Sequence, residues 1–238
     1  MTIPYGYPFY GQEIGILVFN GGSPRIPGDA GHAATFAYPV CYQLVNGSFM
    51  DLTDGSEAIR QELLRAAVRL KQQGVRGIVA DCGLMSLYQK DIAAATGLPF
   101  VGASLCQLPM IWQMTGCQGV IGIITGHSGF LREAHLKGSG WNEDIHIAIE
   151  GMERQPHFSE IVIHGGRSLD PQKLMEETAA AALNLKRSNP DLTAIVLECS
   201  NLATYSRAVA QAVRLPVFDT ISAANLLQYS ISPPEYPY

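Results

Sequence analysis

Short apolar runs alternate along the chain with longer stretches whose apolar residues recur every three or four positions. The runs "EIGILVFN" (13–20), "VRGIVA" (75–80), "GVIGIITG" (119–126) and "LTAIVL" (192–197) are rich in Val and Ile, as strands buried on both faces are. "SEAIRQELLRAAVRLKQQG" (56–74) and "DPQKLMEETAAAALNLKRSNP" (170–190) consist largely of helix formers, and each leads into one of these strands. Helix and strand patterns in this alternation predict parallel sheets assembled from βαβ units.

The pattern also repeats. "VRGIVADCG" (75–83) and "LTAIVLECS" (192–200) share a polar start, three apolar residues, an acid and a cysteine, and Cys199 follows Cys82 by 117 positions. The Leu-Pro pairs of "GLPFVGAS" (97–104) and "RLPVFDTI" (214–221) recur at that interval, as do Tyr88 and Tyr205 between them. The expected fold is therefore α/β: two similar doubly wound parallel-sheet domains related by a pseudo-two-fold axis. The first is expected to span 1–112 and the second 113–213, with 214–238 returning to the first. In that scheme the strand "PVFDTI" and the helix "SAANLLQY" complete the first domain, and the proline-rich "SISPPEYPY" runs extended. Ligands of open parallel sheets gather beyond the carboxyl ends of the strands, so Cys82 and Cys199 should view one cleft from opposite sides.

Composition narrows the function. Sixteen basic and twenty-one acidic residues give a net charge of −5 with the basic ones scattered, which argues against nucleic acid. There is no run of about 18 apolar residues to span a membrane, and "MTIPYGYPFYGQ" lacks the regions of a secretion signal, so the cytoplasm is the expected location. Five cysteines without CxxC spacing read as free thiols. Of these, Cys41, Cys106 and Cys117 read as structural filler. Six histidines without HxH or HExxH spacing indicate no metal site, and GxGxxG and GxxxxGK[ST] are both absent. A chain of this size and type is expected to form a homo-oligomer.

The paired cysteines carry the candidate chemistry. A thiolate on one face of a carbon next to a carboxylate can remove its proton while a thiol on the other face returns one, which inverts the centre. Helices beginning just after Cys82 and Cys199 would lower the thiol pKa towards neutrality. The N–H groups of Gly83, Leu84, Ser200 and Asn201 would bind the carboxylate, with Thr125 at the end of the strand "GVIGIITG" beside them. Asp81 and Glu198, one before each cysteine, read either as solvent-facing strand ends or as partners of the protonated thiol, and would raise the thiol pKa. Ser128 reads as a carboxylate ligand or a helix N-cap, while Asp29, Phe36, His127 and His164 are further candidates to reach the cleft. "GGSPRIPGDAG" (21–31) reads as a loop covering the substrate.

With these residues in hand, the chain resembles the aspartate/glutamate racemase superfamily, which includes amino-acid and hydantoin racemases, maleate isomerases and arylmalonate decarboxylases. "PGDAGHAATFAYPVCYQLV" (27–45), "DCGLMSLYQ" (81–89), "GASLCQLP" (102–109) and "LECSNLATYSRAVAQAVRLPVFDTI" (197–221) resemble the branch that holds algal dimethylsulfoniopropionate lyases. The resemblance implies that Cys82 and Cys199 are the two catalytic positions. Amino-acid racemases of the superfamily commonly read Cys-Asn-Thr where this chain reads Cys82-Gly83-Leu84. The acidic amino-acid racemases also carry an arginine after the second strand, where "NGSFMDL" (46–52) has none and Arg25 is the nearest substitute. The leading expectation is a racemase or epimerase of a small α-substituted carboxylic acid that needs no cofactor. A β-elimination lyase using the same cysteines and a non-catalytic ligand-binding module are the alternatives.

Overall fold

The computed structural model describes residues 6–237; residues 1–5 and Tyr238, placed above in the first domain, lie outside the described residues. Four strands, β1 (Ile14–Phe19), β2 (Val40–Val45), β3 (Gly77–Ala80) and β4 (Phe100–Val101), form a sheet in the order β2-β1-β3-β4. A second sheet, of β5 (Val120–Thr125), β6 (Ile147–Gly151), β7 (Leu192–Leu197) and β8 (Val217–Phe218), has the order β6-β5-β7-β8. Every pairing is parallel, so one topology occurs twice, with its switch point between the first and third strands of each sheet. Interleaved with the strands are α1 (Phe49–Asp54), α2 (Glu57–Gln72), α3 (Gln89–Thr96), α4 (Leu108–Met114), α5 (Glu133–Gly138), α6 (Pro156–Phe158), α7 (Pro171–Ser188), α8 (Ser206–Val213) and α9 (Thr220–Ile231).

The two long helices show how far the repeat reaches. Ser56 caps α2 by accepting the Ile59 N–H, and Asp170 caps α7 by accepting those of Gln172 and Lys173. The buried stripe of α2 is Ile59, Leu63, Ala66, Ala67 and Leu70; that of α7 is Leu174, Thr178, Ala181, Ala182 and Leu185, at the same spacing. Each stripe ends on a glycine of the first strand of its sheet. A Cβ at Gly15 would lie 2.9 Å from Leu70 Cδ1, and one at Gly122 would lie 2.6 Å from Leu185 Cδ2.

The opposite faces are covered by exchange. Ile14, Ile16 and Val18 of β1 and Val79 of β3 pack with Ala224, Leu227 and Ile231 of α9. On the second sheet Ile121, Ile123, Ala194 and Val196 join a core with Ile111 and Trp112 of α4 and with Leu17, Ala80 and Met85 of the first half. The sequence assignment of "PVFDTI" is corrected here. Val217 and Phe218 pair with Ile195 and Val196 of β7, so β8 belongs to the second sheet, as β4 belongs beside β3 in the first. The cause is connection length: α8 is a short crossover that delivers β8 next to its predecessor. Only the following helix, α9, reaches back to the first sheet.

The contact between Leu185 and Gly122 sets a stability prediction. Leu185→Ala should cost about 2–5 kcal/mol as a cavity, and Gly122→Ala about 1–3 kcal/mol as overpacking. The double variant should recover part of the summed loss, because the new methyl enters the vacated space. Urea unfolding of the four proteins measures this coupling.

Candidate active site

A cavity of about 280 Å³ opens where the carboxyl ends of both sheets meet. Seven of the residues singled out from sequence line it: Cys82, Gly83 and Leu84 after β3, Thr125 at the end of β5, and Cys199, Ser200 and Asn201 after β7. Cys82 and Cys199 stand in extended backbone at the head of matching 3-10 turns, Gly83–Tyr88 and Ser200–Tyr205, which run into α3 and α8. Each turn is closed by an N–H three residues on, from Met85 to the Cys82 carbonyl and from Leu202 to the Cys199 carbonyl, both 3.0 Å.

The acids before the two cysteines are buried, and their surroundings differ. Asp81 accepts the Phe19 N–H at 2.8 Å and its other oxygen lies 2.6 Å from Arg25 Nη2. Arg25 Nη1 pairs with Asp29 at 2.6 Å, and Asp29 also accepts Asn201 Nδ2 at 3.0 Å across the cleft. Glu198 has no cation among the described residues. Its Oε2 accepts the Thr125 hydroxyl at 2.7 Å, and its carboxylate also accepts the Gly126 N–H. Its Oε1 lies where a Cβ on Gly83 would be, 1.9 Å from that ideal position. Glycine after Cys82 is thus what admits the Glu198 carboxylate from the other half.

These neighbours set the ionisation. Burial, then the Glu198 and Asp81 charges, push the Cys82 thiol well above its ordinary value, against one N–H bond from Leu84. Burial and Glu198 also push Cys199 up strongly, against an N–H bond from Asn201. The expected lowering of the thiols by the following turns is therefore overruled by desolvation and like charge. The Leu84 and Asn201 N–H groups point at the two sulfurs. Burial raises Asp81 to about 6 despite Arg25, and it raises Glu198 despite Thr125 and Gly126.

The remaining candidates separate. Arg25 lines the cavity with Gly21 and Ser23, and His127 lines it too, stacked on Phe130. Ser128 is outside it, bonded to Glu153 by hydroxyl and N–H, and α5 begins too far on for Ser128 to cap. Phe36 packs in the core beside Ile16, and Asp29 stands behind Arg25. His164 does not line the cavity. Cys117 is exposed at φ 55 instead of buried. "NGSFMDL" folds as the capped start of α1, so Ser48, Phe49 and Met50 reach the cavity. Sequence reasoning missed the apolar wall of Phe19, Phe130, Phe158, Val162 and Ile163, the last three on α6 and the π-turn after it. A single Phe158 followed, after two polar residues, by the three-residue run Ile161–Ile163 carries no strand or helix period, and that left 156–163 unread. Among the described residues no group of three or more His, Cys, Asp or Glu side chains is arranged to hold a metal ion, and no helix is long and apolar enough to cross a membrane.

Residues 38–225 match the Asp/Glu/hydantoin racemase family. The chain is 32% identical over 232 residues to dimethylsulfoniopropionate lyase 3 of Emiliania huxleyi, covering 92% of this chain and 60% of that protein. It is 31% identical over 209 residues to a dimethylsulfoniopropionate lyase of Durusdinium sp. clade D, covering 84% of this chain and 68% of that one. The chain thus spans about 60% of the length of the first of these relatives. Among solved structures, unliganded arylmalonate decarboxylase has a TM-score of 0.61 at 16% identity over 94% of both chains. Picrophilus torridus aspartate racemase has a TM-score of 0.54 at 13% identity, over 92% of this chain and 94% of that one. At such identities the likeness is one of fold.

The buried Asp81 predicts a pH dependence of stability. Its pKa is about 6 in the folded chain and about 3.9 unfolded, so its contribution is full below about pH 4 and is lost as pH rises through 6. The stability of wild type relative to Asp81→Asn should therefore fall by about 2–3 kcal/mol between pH 4 and pH 7. Urea unfolding across that range checks it; a flat difference contradicts the assignment.

Proposed function

Because the chain belongs to the Asp/Glu/hydantoin racemase family, we propose that it is an enzyme that removes a proton from the carbon next to a carboxylate, with Cys82 and Cys199 as its acid/base pair. The observation that carries this reading is that both thiols line one cavity from corresponding strand ends of the two sheets. The Gly83 and Ser200 N–H groups are the donors left to hold the substrate carboxylate and the enolate charge that develops on it. This chemistry calls on no cofactor or metal ion.

The cavity favours elimination as the step that follows. Recognition of a second carboxylate needs a free cation, and the guanidinium that lines the cavity is held by Asp29 and Asp81. Phe19, Phe49, Phe130 and Phe158 offer ring surfaces instead, in a cavity whose surrounding acids outnumber its one arginine. Such a wall suits an apolar-skinned, positively charged β-substituent. In that reaction the Cα–H bond breaks to a thiolate and a double bond forms between Cα and Cβ. The β-substituent leaves with the electron pair of its bond. Dimethylsulfoniopropionate, the compound in the names of the relatives above, has this chemistry and would yield acrylate and dimethyl sulfide. A second reading, racemisation, is favoured by the presence of a thiol in each half, since inversion needs a proton donor on the far face.

Proton NMR in D₂O under reducing conditions separates these readings. With dimethylsulfoniopropionate the expected result is the vinyl signals of acrylate, and Cys82→Ala and Cys199→Ala should each lose at least about 100-fold in rate. Loss of the α-proton signal with inversion of an amino acid would establish the racemase instead. Full turnover in both alanine variants would overturn the thiol pair, and silence on both substrate types would favour a binding module.

A further inference from the structure

Both thiols rest protonated, so the thiolate must be made when substrate is present, and a neighbouring group must take the proton. We propose that Glu198 is that group: its carboxylate accepts the Sγ proton of the cysteine that acts as base. This rests on the two-thiol reading above and adds to it a third proton-holding side chain.

The geometry selects Glu198 from all the charged groups around the cavity. Asp81 and Asp29 are engaged by Arg25, and His127 lies on the wall stacked against Phe130. Glu198 lines the cavity and is 4% exposed, with a hydrogen bond from the Thr125 hydroxyl to its Oε2 and one from the Gly126 N–H to its carboxylate. Its Oε1 lies over Gly83, the residue after Cys82, while its own backbone leads directly into Cys199. Its charge is felt by both thiols. Only a glycine at 83 leaves room for the carboxylate, so the two positions form one device spanning the two halves.

The proton count closes. The Sγ–H bond breaks and an Oε–H bond forms on Glu198; the thiolate then takes the Cα proton and becomes a thiol again. Elimination yields one proton in total, which Glu198 releases to solvent, restoring the resting carboxylate and two thiols. In racemisation the opposite thiol would return a proton to the substrate and recover one from Glu198.

The test is Glu198→Gln, which keeps the length of the side chain but cannot accept a thiol proton. With dimethylsulfoniopropionate at pH 7 it should lose at least about 100-fold in kcat, and its residual rate should climb with pH as hydroxide makes the thiolate. Alkylation of its cysteines by iodoacetamide at pH 8 should be faster than in wild type, because a negative charge beside the thiols is gone. More reactive thiols in a slower enzyme is a combination that a purely structural role does not produce. Wild-type kcat at pH 7 in Glu198→Gln, or unchanged alkylation, would overturn the proposal. If that variant does not fold, Glu198→Asp carries the test through a lowered kcat at constant KM, and an unchanged kcat would count against Glu198. Cys82→Ala and Cys199→Ala run in parallel locate a failure. Turnover in both defeats the thiol pair itself, whereas inactive alanine variants beside a fully active Glu198→Gln defeat only the role of Glu198.

Discussion

Arg25 holds the strand ends in place. Its guanidinium reaches Asp81 beyond β3, donates to the Phe19 carbonyl at the end of β1, and grips Asp29, which in turn receives a hydrogen bond from Asn201 of the second half. A charge so enclosed is stabilised only by the partners that surround it, and those partners would be left as uncompensated buried carboxylates without it. The same bonds bear on the proposed reading of the cavity. An arginine inside the cavity looks at first like a clamp for an acidic substrate, yet its donors face inward to the protein's own acids.

The corresponding acids of the repeat have diverged in consequence. Asp81 is one methylene shorter than Glu198 and turns back into its own half, where Arg25 meets it. Glu198 has the reach to cross to Gly83 and meets no cation among the described residues. One half thus contributes an acid paired with a guanidinium and the other an acid that has no cation among the described residues, so a cleft built from two similar units is electrostatically lopsided. Two thiols with alike local backbones accordingly face unlike surroundings.

Much of the fold was legible because period and interval are local properties of the chain. The strands β1, β3, β5 and β7, the two long helices and the matched cysteines follow from Val/Ile runs, helix formers and one repeated spacing. The same interval pairs Val217 with Phe100 and so places β8 beside β7, while only α9 returns to the first sheet. The site was legible in its residues but not in its ionisation. Cysteine at the head of a turn suggests a lowered pKa, and only the burial of the site and the path of the Glu198 side chain reverse that sign. The π-turn wall was illegible for a different reason: its residues line the cavity through an irregular backbone that has no sequence period.

The exchange of terminal helices has a consequence for how the chain is made. The outer face of the first sheet, with Ile14, Ile16 and Val79, is covered by α9, which leaves the ribosome only after every strand of the second sheet. Synthesis proceeds at roughly 5–20 residues per second, so this apolar face waits on the order of ten seconds for its cover after β3 has emerged. The two halves therefore cannot mature one after the other as separate beads. A cut between the repeats would leave the apolar faces that α9 and α4 cover open to water.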